Sequence, residues 1–211
     1  MSFYNPSVSP VITHVVTQPI LISASQFTVL SGQMTGNPDN SISINIARLR
    51  AVTNGMWPGL NRINYHFRIL GDSPTISVDA DGVTRKGVVL WADVVNACNL
   101  VFLSCRTDSR EAAGTTVIEG QTQLNPAITG PITNAQLNSC AGIGYSLLDK
   151  RVLNINIYDG NWHDFTISRS PTGFVIQLDA VPLGLQISLS DTGLYGLRTD
   201  NVNVELTVGV E

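Results

Sequence analysis

Residues 159–180 read DGNWHDFTISRSPTGFVIQLDA, and this stretch decides the fold. Asp159-Gly160 is a turn dipeptide, because an Asp side chain hydrogen-bonds its own backbone and Gly accepts a positive φ. From Trp162 onward the chain alternates: His163, Phe165 and Ile167 share one face, and Asp164, Thr166 and Ser168 share the other. A period of two marks a strand with one buried face. Ser170-Pro171-Thr172-Gly173 turns the chain back, and Phe174, Ile176 and Leu178 repeat the apolar parity on the return. The stretch is a hairpin of an antiparallel sheet. His163 shares the apolar parity and is expected as a core or rim histidine with a ring nitrogen on backbone. Trp162 is expected to pack, and Arg169 to pair with Asp164 or Asp179.

Outward from the hairpin the same alternation recurs. Ile42, Ile44 and Ile46 point one way within Ser41 to Leu49, against Ser43 and Asn45. Tyr65, Phe67 and Ile69 oppose His66 and Arg68, and Leu153, Ile155 and Ile157 oppose Asn154, Asn156 and Tyr158. Val202, Val204, Leu206, Val208 and Val210 form a regular closing strand, expected inside a sheet beside the N-terminal strand. Gln26 to Met34, Thr75 to Asp79 and Leu185 to Leu189 are shorter strand candidates. Gly87 to Val95 and Asn99 to Cys105 are nearly continuous apolar runs, as in central strands covered on both faces. Between Arg106 and Gly144 the periodicity fades. Thr115 to Glu119 is a strand candidate there and Pro131 to Asn138 a helical turn; the remainder is an excursion able to carry specificity. About eleven to fourteen strands and no amphipathic helix of three turns predict an all-β fold, a two-sheet antiparallel β-sandwich. Residues 1–24 are an arm with a first extended segment, and 25–211 the sandwich.

The residues of the hairpin carry a resemblance as well. The order D-G-x-W-H, a strand containing I-x-R, a Gly turn and an apolar strand closing on Asp resembles the late hairpin of laminin-G-like domains. It stands here as Asp159, Gly160, Trp162, His163, Ile167, Arg169, Gly173 and Asp179. Those domains often continue from the Asp into a Gly, where this chain has Ala180. They belong to the concanavalin-A-like lectin group, so the resemblance implies a jelly-roll sandwich of that type and a recognition role.

Composition bounds the function classes. Of 211 residues 43% are apolar and 13% charged, enough core for one domain and too little charge for a disordered chain. The net charge of -4 and the absence of any Lys or Arg run argue against nucleic-acid binding. Only Lys86 and Lys150 among the basic residues are lysine, so the surface is mainly Asn, Ser, Thr and Gln, which suits contact with sugars or neighbouring subunits. The first residues lack the basic start and apolar core of a signal peptide, and nothing reaches the ~20 apolar residues of a membrane span, so no membrane insertion is expected. An extracellular surface or a virion is the expected location. Cys98, Cys105 and Cys140 cannot all pair within one chain. Three reduced thiols are the favoured reading, with a bridge from Cys140 to either of the others left open.

Candidate sites are few. Residues 53–62, TNGMWPGLNR, form a Gly/Pro loop around Trp57, whose indole could stack on a sugar with Asn54 and Asn61 bonding hydroxyls; the alternative is that Trp57 plugs the sandwich end. Asp79-Ala80-Asp81-Gly82 resembles the start of a calcium loop but lacks its further oxygens, so a plain Asp-Gly turn is the preferred reading. No metal and no cofactor are expected. A glycosidase on such a sandwich needs two close carboxylates, usually alternating along one strand. Glu111, Glu119, Glu205 and Glu211 have no acid two or four residues away. No G-x-S-x-G occurs, and His14, His66 and His163 lack metal-ligand spacing. The chain is therefore expected not to be an enzyme. The expected function is a recognition module binding a glycan or a cell-surface protein through end loops, as a homo-oligomer. The alternative is a viral or phage particle protein, a coat, spike or fibre-tip domain.

Overall fold

The structure, a computed structural model, describes residues 19–46, 48–55, 61–79, 81–96, 98–125, 132–140, 144–170, 173–184 and 194–211. In order these form β1 (Ile20–Ile22), β2 (Phe27–Ser31), β3 (Thr35–Gly36), β4 (Ile42–Asn45), β5 (Arg50–Thr53), β6 (Arg62–Asp72), β7 (Arg85–Asn96), β8 (Asn99–Asp108) and β9 (Thr116–Leu124). Then follow α1 (Asn134–Ser139), β10 (Tyr145–Leu153), β11 (His163–Ser170), β12 (Gly173–Leu178), β13 (Val181–Pro182), β14 (Leu194–Asp200) and β15 (Val202–Val210). Two antiparallel sheets result. One has the order β13-β12-β11-β6-β15-β4-β3, with β1 also on β15; the other has the order β10-β9-β8-β7-β14-β5-β2. This is the two-sheet sandwich the alternation predicts. Among the described residues no helix is long and apolar enough to cross a membrane.

The core lies between the inner faces. Ile63, Tyr65, Phe67 and Ile69 of β6, Phe165 and Ile167 of β11, and Val204, Leu206 and Val208 of β15 meet Val88, Leu90, Leu103, Ile118 and Leu197 of the other sheet. Each such side chain taken fully out of water is worth about 1.5–3 kcal/mol. The organising hairpin pairs in the expected register, Phe165 with Leu178 and Ile167 with Ile176, and Gly160 holds φ +80 in the turn before it. Its tip, residues 171 and 172, lies outside the described residues.

Several expectations are corrected. The His163 ring bonds carboxylates rather than backbone: Nδ1 lies 2.8 Å from Asp179 Oδ2 and Nε2 3.1 Å from Asp159 Oδ1. The two turns flanking the hairpin bring those carboxylates to the strand start, and a charged acceptor is the stronger partner. Trp162 lies outside the core, 37% exposed, stacked on His66 at 4.5 Å with the Arg68 guanidinium 4.8 Å from its ring centre. Arg169 places its guanidinium 5.7 Å from the Phe174 ring. Thr75 to Asp79 is not a strand; the Asn201 side chain takes the backbone bonds of Ser77 at its middle, Ser77 N donating to Asn201 Oδ1 and Asn201 Nδ2 donating to Ser77 O. The expected excursion contains the nine-residue β9, paired to β8 from Val117 to Leu124. Cys98 and Cys140 are joined in a disulfide, and Cys105 alone is a buried thiol, correcting the three-thiol reading. The pairing is reachable because Cys98 sits at the β7–β8 turn and the end of α1 folds back onto it, with Cα atoms 5.5 Å apart.

The runs in β7 and β8 are covered on both faces, as expected, but by unlike layers. Val88, Leu90 and Leu103 face the sandwich core, while Val89, Trp91, Leu100 and Phe102 form a second cluster with Val52, Val94, Cys98, Leu137 and Cys140. Part of the outer face of the seven-stranded sheet is thus roofed by α1 and the disulfide. The part that is not roofed is a cleft.

Candidate functional site

Sheet register places residues from distant parts of the chain in rows across this outer face. Arg198 pairs with Arg50 on one side and Val89 on the other, Val89 with Ser104, and Ser104 with Glu119. Two residues along each strand, Val52, Gly196, Trp91, Phe102 and Gln121 make the next row. Leu100, Gln123 and Tyr145 follow. The first row carries charge and the others aromatic rings and amides, so the cleft has a charged half and an apolar-amide half. It encloses about 520 Å³, within the range of small-molecule sites.

Two glycines make the rows possible. A Cβ on Gly196 would lie 2.9 Å from the Trp91 ring and 2.8 Å from Ala51 O, so the indole lies across the gap that Gly196 leaves. Gly87, at φ +152, pairs between Asp200 and Arg106. With no side chain there, Arg106 reaches Asp200, Nη1 donating to Oδ2 at 3.2 Å, while its Nη2 donates to Glu119 Oε2 at 2.9 Å.

The charged half is a network. Arg198 donates to Asp200 Oδ1 from Nε at 2.8 Å, and Arg48 approaches the same carboxylate at 3.7 Å. Burial alone would raise the Asp200 carboxyl, but Arg198 and Arg106 hold it below its usual value. At the rim Arg48 also pairs with Asp79, and Arg85 donates to Asp79 Oδ2 at 2.7 Å and Asp81 Oδ2 at 2.5 Å. The hydrogen bond from Arg85 lowers the Asp81 carboxyl. The Asp79-to-Gly82 stretch is therefore an Asp-Gly turn, Gly82 at φ +76, whose carboxylates serve arginines. Among the described residues no group of three His, Cys, Asp or Glu side chains is arranged to hold a metal ion. A carboxylate that donates a proton near neutral pH needs a raised pKa. Asp81 and Asp200 are shifted the other way.

The roof is tied to this floor. Thr133 caps α1 by accepting from Gln136 N at 3.2 Å, which fixes the helix start. Asn134 and Asn138 lie one turn apart on one helix face, and both accept from Arg50 Nη1, at 2.8 and 2.6 Å. Gln123 Nε2 donates to Cys140 O at 2.6 Å. Tyr145, 43% exposed, stands at the cleft edge with its ring edge-on to Phe102 at 5.3 Å.

Of the loop residues singled out in the sequence, Asn54 and Asn61 lie elsewhere. Trp57 is outside the described residues. Asn54 donates from Nδ2 to Ser25 O at 2.9 Å and accepts from Thr28 Oγ1 at 2.6 Å, so its amide ties β2 to β5. Asn61 bonds through its backbone, donating to Glu211 O at 2.8 Å and accepting from Arg169 N at 2.7 Å. Neither lines the cleft. The residues that do were missed because no two adjacent floor strands were joined in the sequence reading. The one available signal was E-x-Q-x-Q at Glu119, Gln121 and Gln123, a polar face at strand spacing.

No protein-family model matches this chain, and no curated protein matches it in sequence. Solved structures do match in fold. A prokaryotic β-1,3-1,4-glucanase (lichenase) from a mouse hindgut metagenome is 7% identical at a TM-score of 0.51, over 90% of this chain and 95% of its own. The carbohydrate-binding module CBM66 of Bacillus subtilis is 12% identical at a TM-score of 0.49, over 88% of this chain and 92% of its own. The κ-carrageenase of Pseudoalteromonas carrageenovora is 7% identical at a TM-score of 0.48, over 97% and 98%. The expectation that the chain is not an enzyme is corrected by this finding: a glycoside hydrolase, the lichenase, shares the fold over nine-tenths of this chain, so the sequence argument against catalysis does not stand. Its physical flaw was to look for paired acids along single strands, whereas here Glu119 of β9 and the Asp79 and Asp81 carboxylates from the turn before β7 line one cleft. Likeness at these identities establishes the jelly-roll β-sandwich fold, and no activity.

Proposed function

We propose that this chain recognises a carbohydrate in the cleft on the outer face of its seven-stranded sheet. The observation that carries the reading is the exposed Tyr145 ring, backed edge-on by Phe102, with Gln121 and Arg50 in neighbouring rows of the same cleft lining. A pyranose has apolar C–H faces and a rim of hydroxyls, so it needs an aromatic surface with hydrogen-bonding groups beside it. The fold likeness is compatible with this reading and carries none of its weight. The loop aromatic Trp57 is retained as a second candidate contact. The particle-protein alternative gains no support from the fold comparison and is not pursued.

Affinity electrophoresis through gels containing soluble polysaccharides, followed by calorimetry on any that retard the protein, tests the reading. Binding is expected in the micromolar to millimolar range, as for shallow sites. Tyr145→Ala should weaken it at least about tenfold, the loss of one ring contact in a partly desolvated site. If Trp57→Ala abolishes binding and Tyr145→Ala leaves it unchanged, the loop is the site and the cleft is not. If no polysaccharide is bound, the reading falls. The same incubations, assayed for new reducing ends, read turnover directly.

A further inference from the structure

We propose that the charged half of the cleft takes an acidic substituent of the glycan, a carboxylate or a sulfate, on the Arg50 guanidinium; this rests on the carbohydrate reading of the cleft. Five of the chain's ten arginines, Arg48, Arg50, Arg85, Arg106 and Arg198, line this one cleft. The carboxylates that face them, those of Asp79, Asp81, Asp108, Glu119 and Asp200, are each ion-paired with one or more of the other four arginines. Arg50 has no carboxylate within ion-pair distance among the described residues. In a chain with a net charge of -4, Arg50 is thus a cleft arginine whose charge no ion pair among the described residues offsets, a local surplus.

The surplus is held in place. Both amide acceptors of α1 bind the same nitrogen of Arg50, Nη1, which fixes the guanidinium plane while leaving Nη2 and Nε without a partner among the described residues. Those two N–H groups form the fork that matches two oxygens of a carboxylate or sulfate. Arg198 sits directly across the strand pair, and burial followed by the charges of Arg198 and Arg48 pushes the Arg50 pKa down. A guanidinium desolvated beside two others is costly, and a bound anion relieves that cost at the point where it is greatest. In the same row Ser104 Oγ, on a residue 2% exposed, has no hydrogen-bond partner among the described residues. It is a second unspent donor on the cleft floor.

The experiment holds the sugar backbone constant and varies its charge. Dextran, carboxymethyl-dextran and dextran sulfate are compared first, then the neutral xylan and mixed-linkage β-glucan with polygalacturonate, alginate, chondroitin sulfate and carrageenan. Wild type, Arg50→Gln, Arg50→Lys and the opposite-sheet control Arg62→Gln are each checked for folding by thermal melts. Acidic members are expected to bind at least about tenfold tighter than neutral ones. Arg50→Gln should lose about tenfold to a hundredfold, the scale of one charge-assisted bidentate contact. Arg50→Lys, which keeps the charge and loses the fork, should fall between, and it serves alone if Arg50→Gln does not fold. Arg62→Gln should bind as wild type does. A preference for the carboxylated or the sulfated arm identifies the substituent. Tight binding of neutral glycans with no gain from charge overturns this inference and leaves the carbohydrate cleft standing. Acidic binding that Arg50→Gln and Arg62→Gln weaken equally also overturns it, because it is then diffuse electrostatics. No binding in any arm overturns the cleft reading itself.

Discussion

Replacing Ala180 with Gly should stabilise the fold, against the usual direction for a Gly substitution. Asp179 and Ala180 join β12 to β13 and hold φ +50 and +63, both in the left-handed region of a two-residue hairpin turn. Asp tolerates that region better than most residues, and Asp179 is held there by a tertiary contact, its Oδ1 accepting from Asp164 N at 2.9 Å. Ala180 has no such compensation, and the left-handed region costs an ordinary L residue roughly 1–2 kcal/mol. Against this, Gly gives the unfolded chain about 0.4–1 kcal/mol more conformational freedom to lose. The native term is larger, so a net gain of roughly 0.5–1 kcal/mol is expected, or a rise of about 2–3 °C in Tm for a domain of this size. Ala180 is exposed and no core contact is lost. Paired urea and thermal melts of wild type and Ala180→Gly decide the matter, with Ala180→Val as the opposite perturbation. A fall in Tm for the Gly variant would show that the turn is not held in the left-handed region, and with it would go the placement of Asp179 beneath His163.

Phe165→Ala should cost about 3–5 kcal/mol, because that side chain is 0% exposed, whereas Trp162→Ala, at 37% exposed and outside the core, should cost about 1 kcal/mol; equilibrium denaturation of both will show whether the hairpin packs through Phe165. Gly196→Ala should destabilise by about 1–3 kcal/mol and quench or shift Trp91 fluorescence, since the new methyl has only the indole and a backbone oxygen to displace. The Cys98–Cys140 bridge spans a sequence separation of 42, for which loop-closure entropy gives about 4 kcal/mol; Cys98→Ser with Cys140→Ser should lower stability by up to that amount, and an unchanged midpoint under reducing conditions would show the bridge to be unimportant. Asp108 has its carboxyl lowered from 3.8 to about 2, chiefly by the hydrogen bond from Arg110. A depressed folded pKa gives stability that is present above pH 4 and lost as pH falls toward 2; the expected loss is on the order of 1–2 kcal/mol after allowing for the exposed Arg110, and Asp108→Asn should flatten the stability profile in that window.

What the sequence made legible was the inner half of each sheet. β6, β11, β12 and β15 face one core, so their side chains alternate with period two and the pattern names the buried set. β9 failed that test. Its inner positions include Thr116, Gly120 and Thr122, and its outer ones carry Glu119, Gln121 and Gln123 into a polar cleft, so neither face shows an apolar stripe. The cleft was illegible for a further reason. Arg50 and Arg198 are separated by most of the chain and become neighbours only through the β5–β14 register, which no local spacing encodes. His163 could be placed in the core by parity, but its partners come from turns, and turn conformation decides where Asp159 and Asp179 point. The disulfide likewise depends on α1 folding back over the sheet.

β15 is the last strand of the sandwich and also a central one: β6 lies along one edge, while β4 and β1 share the other, Ile20 pairing with Val210. A ribosome that has released everything up to Asp200 has therefore exposed the inward faces of β6 and β4 with nothing between them. Their ladder partner, which runs beside Tyr65 and Phe67 at the centre of the sheet, arrives only with β15. The eight-stranded sheet therefore closes only once β15 is available, in a step dominated by pairings distant in sequence and slow for that reason. Until β15 emerges, the strands before it present unpaired edges with apolar side chains.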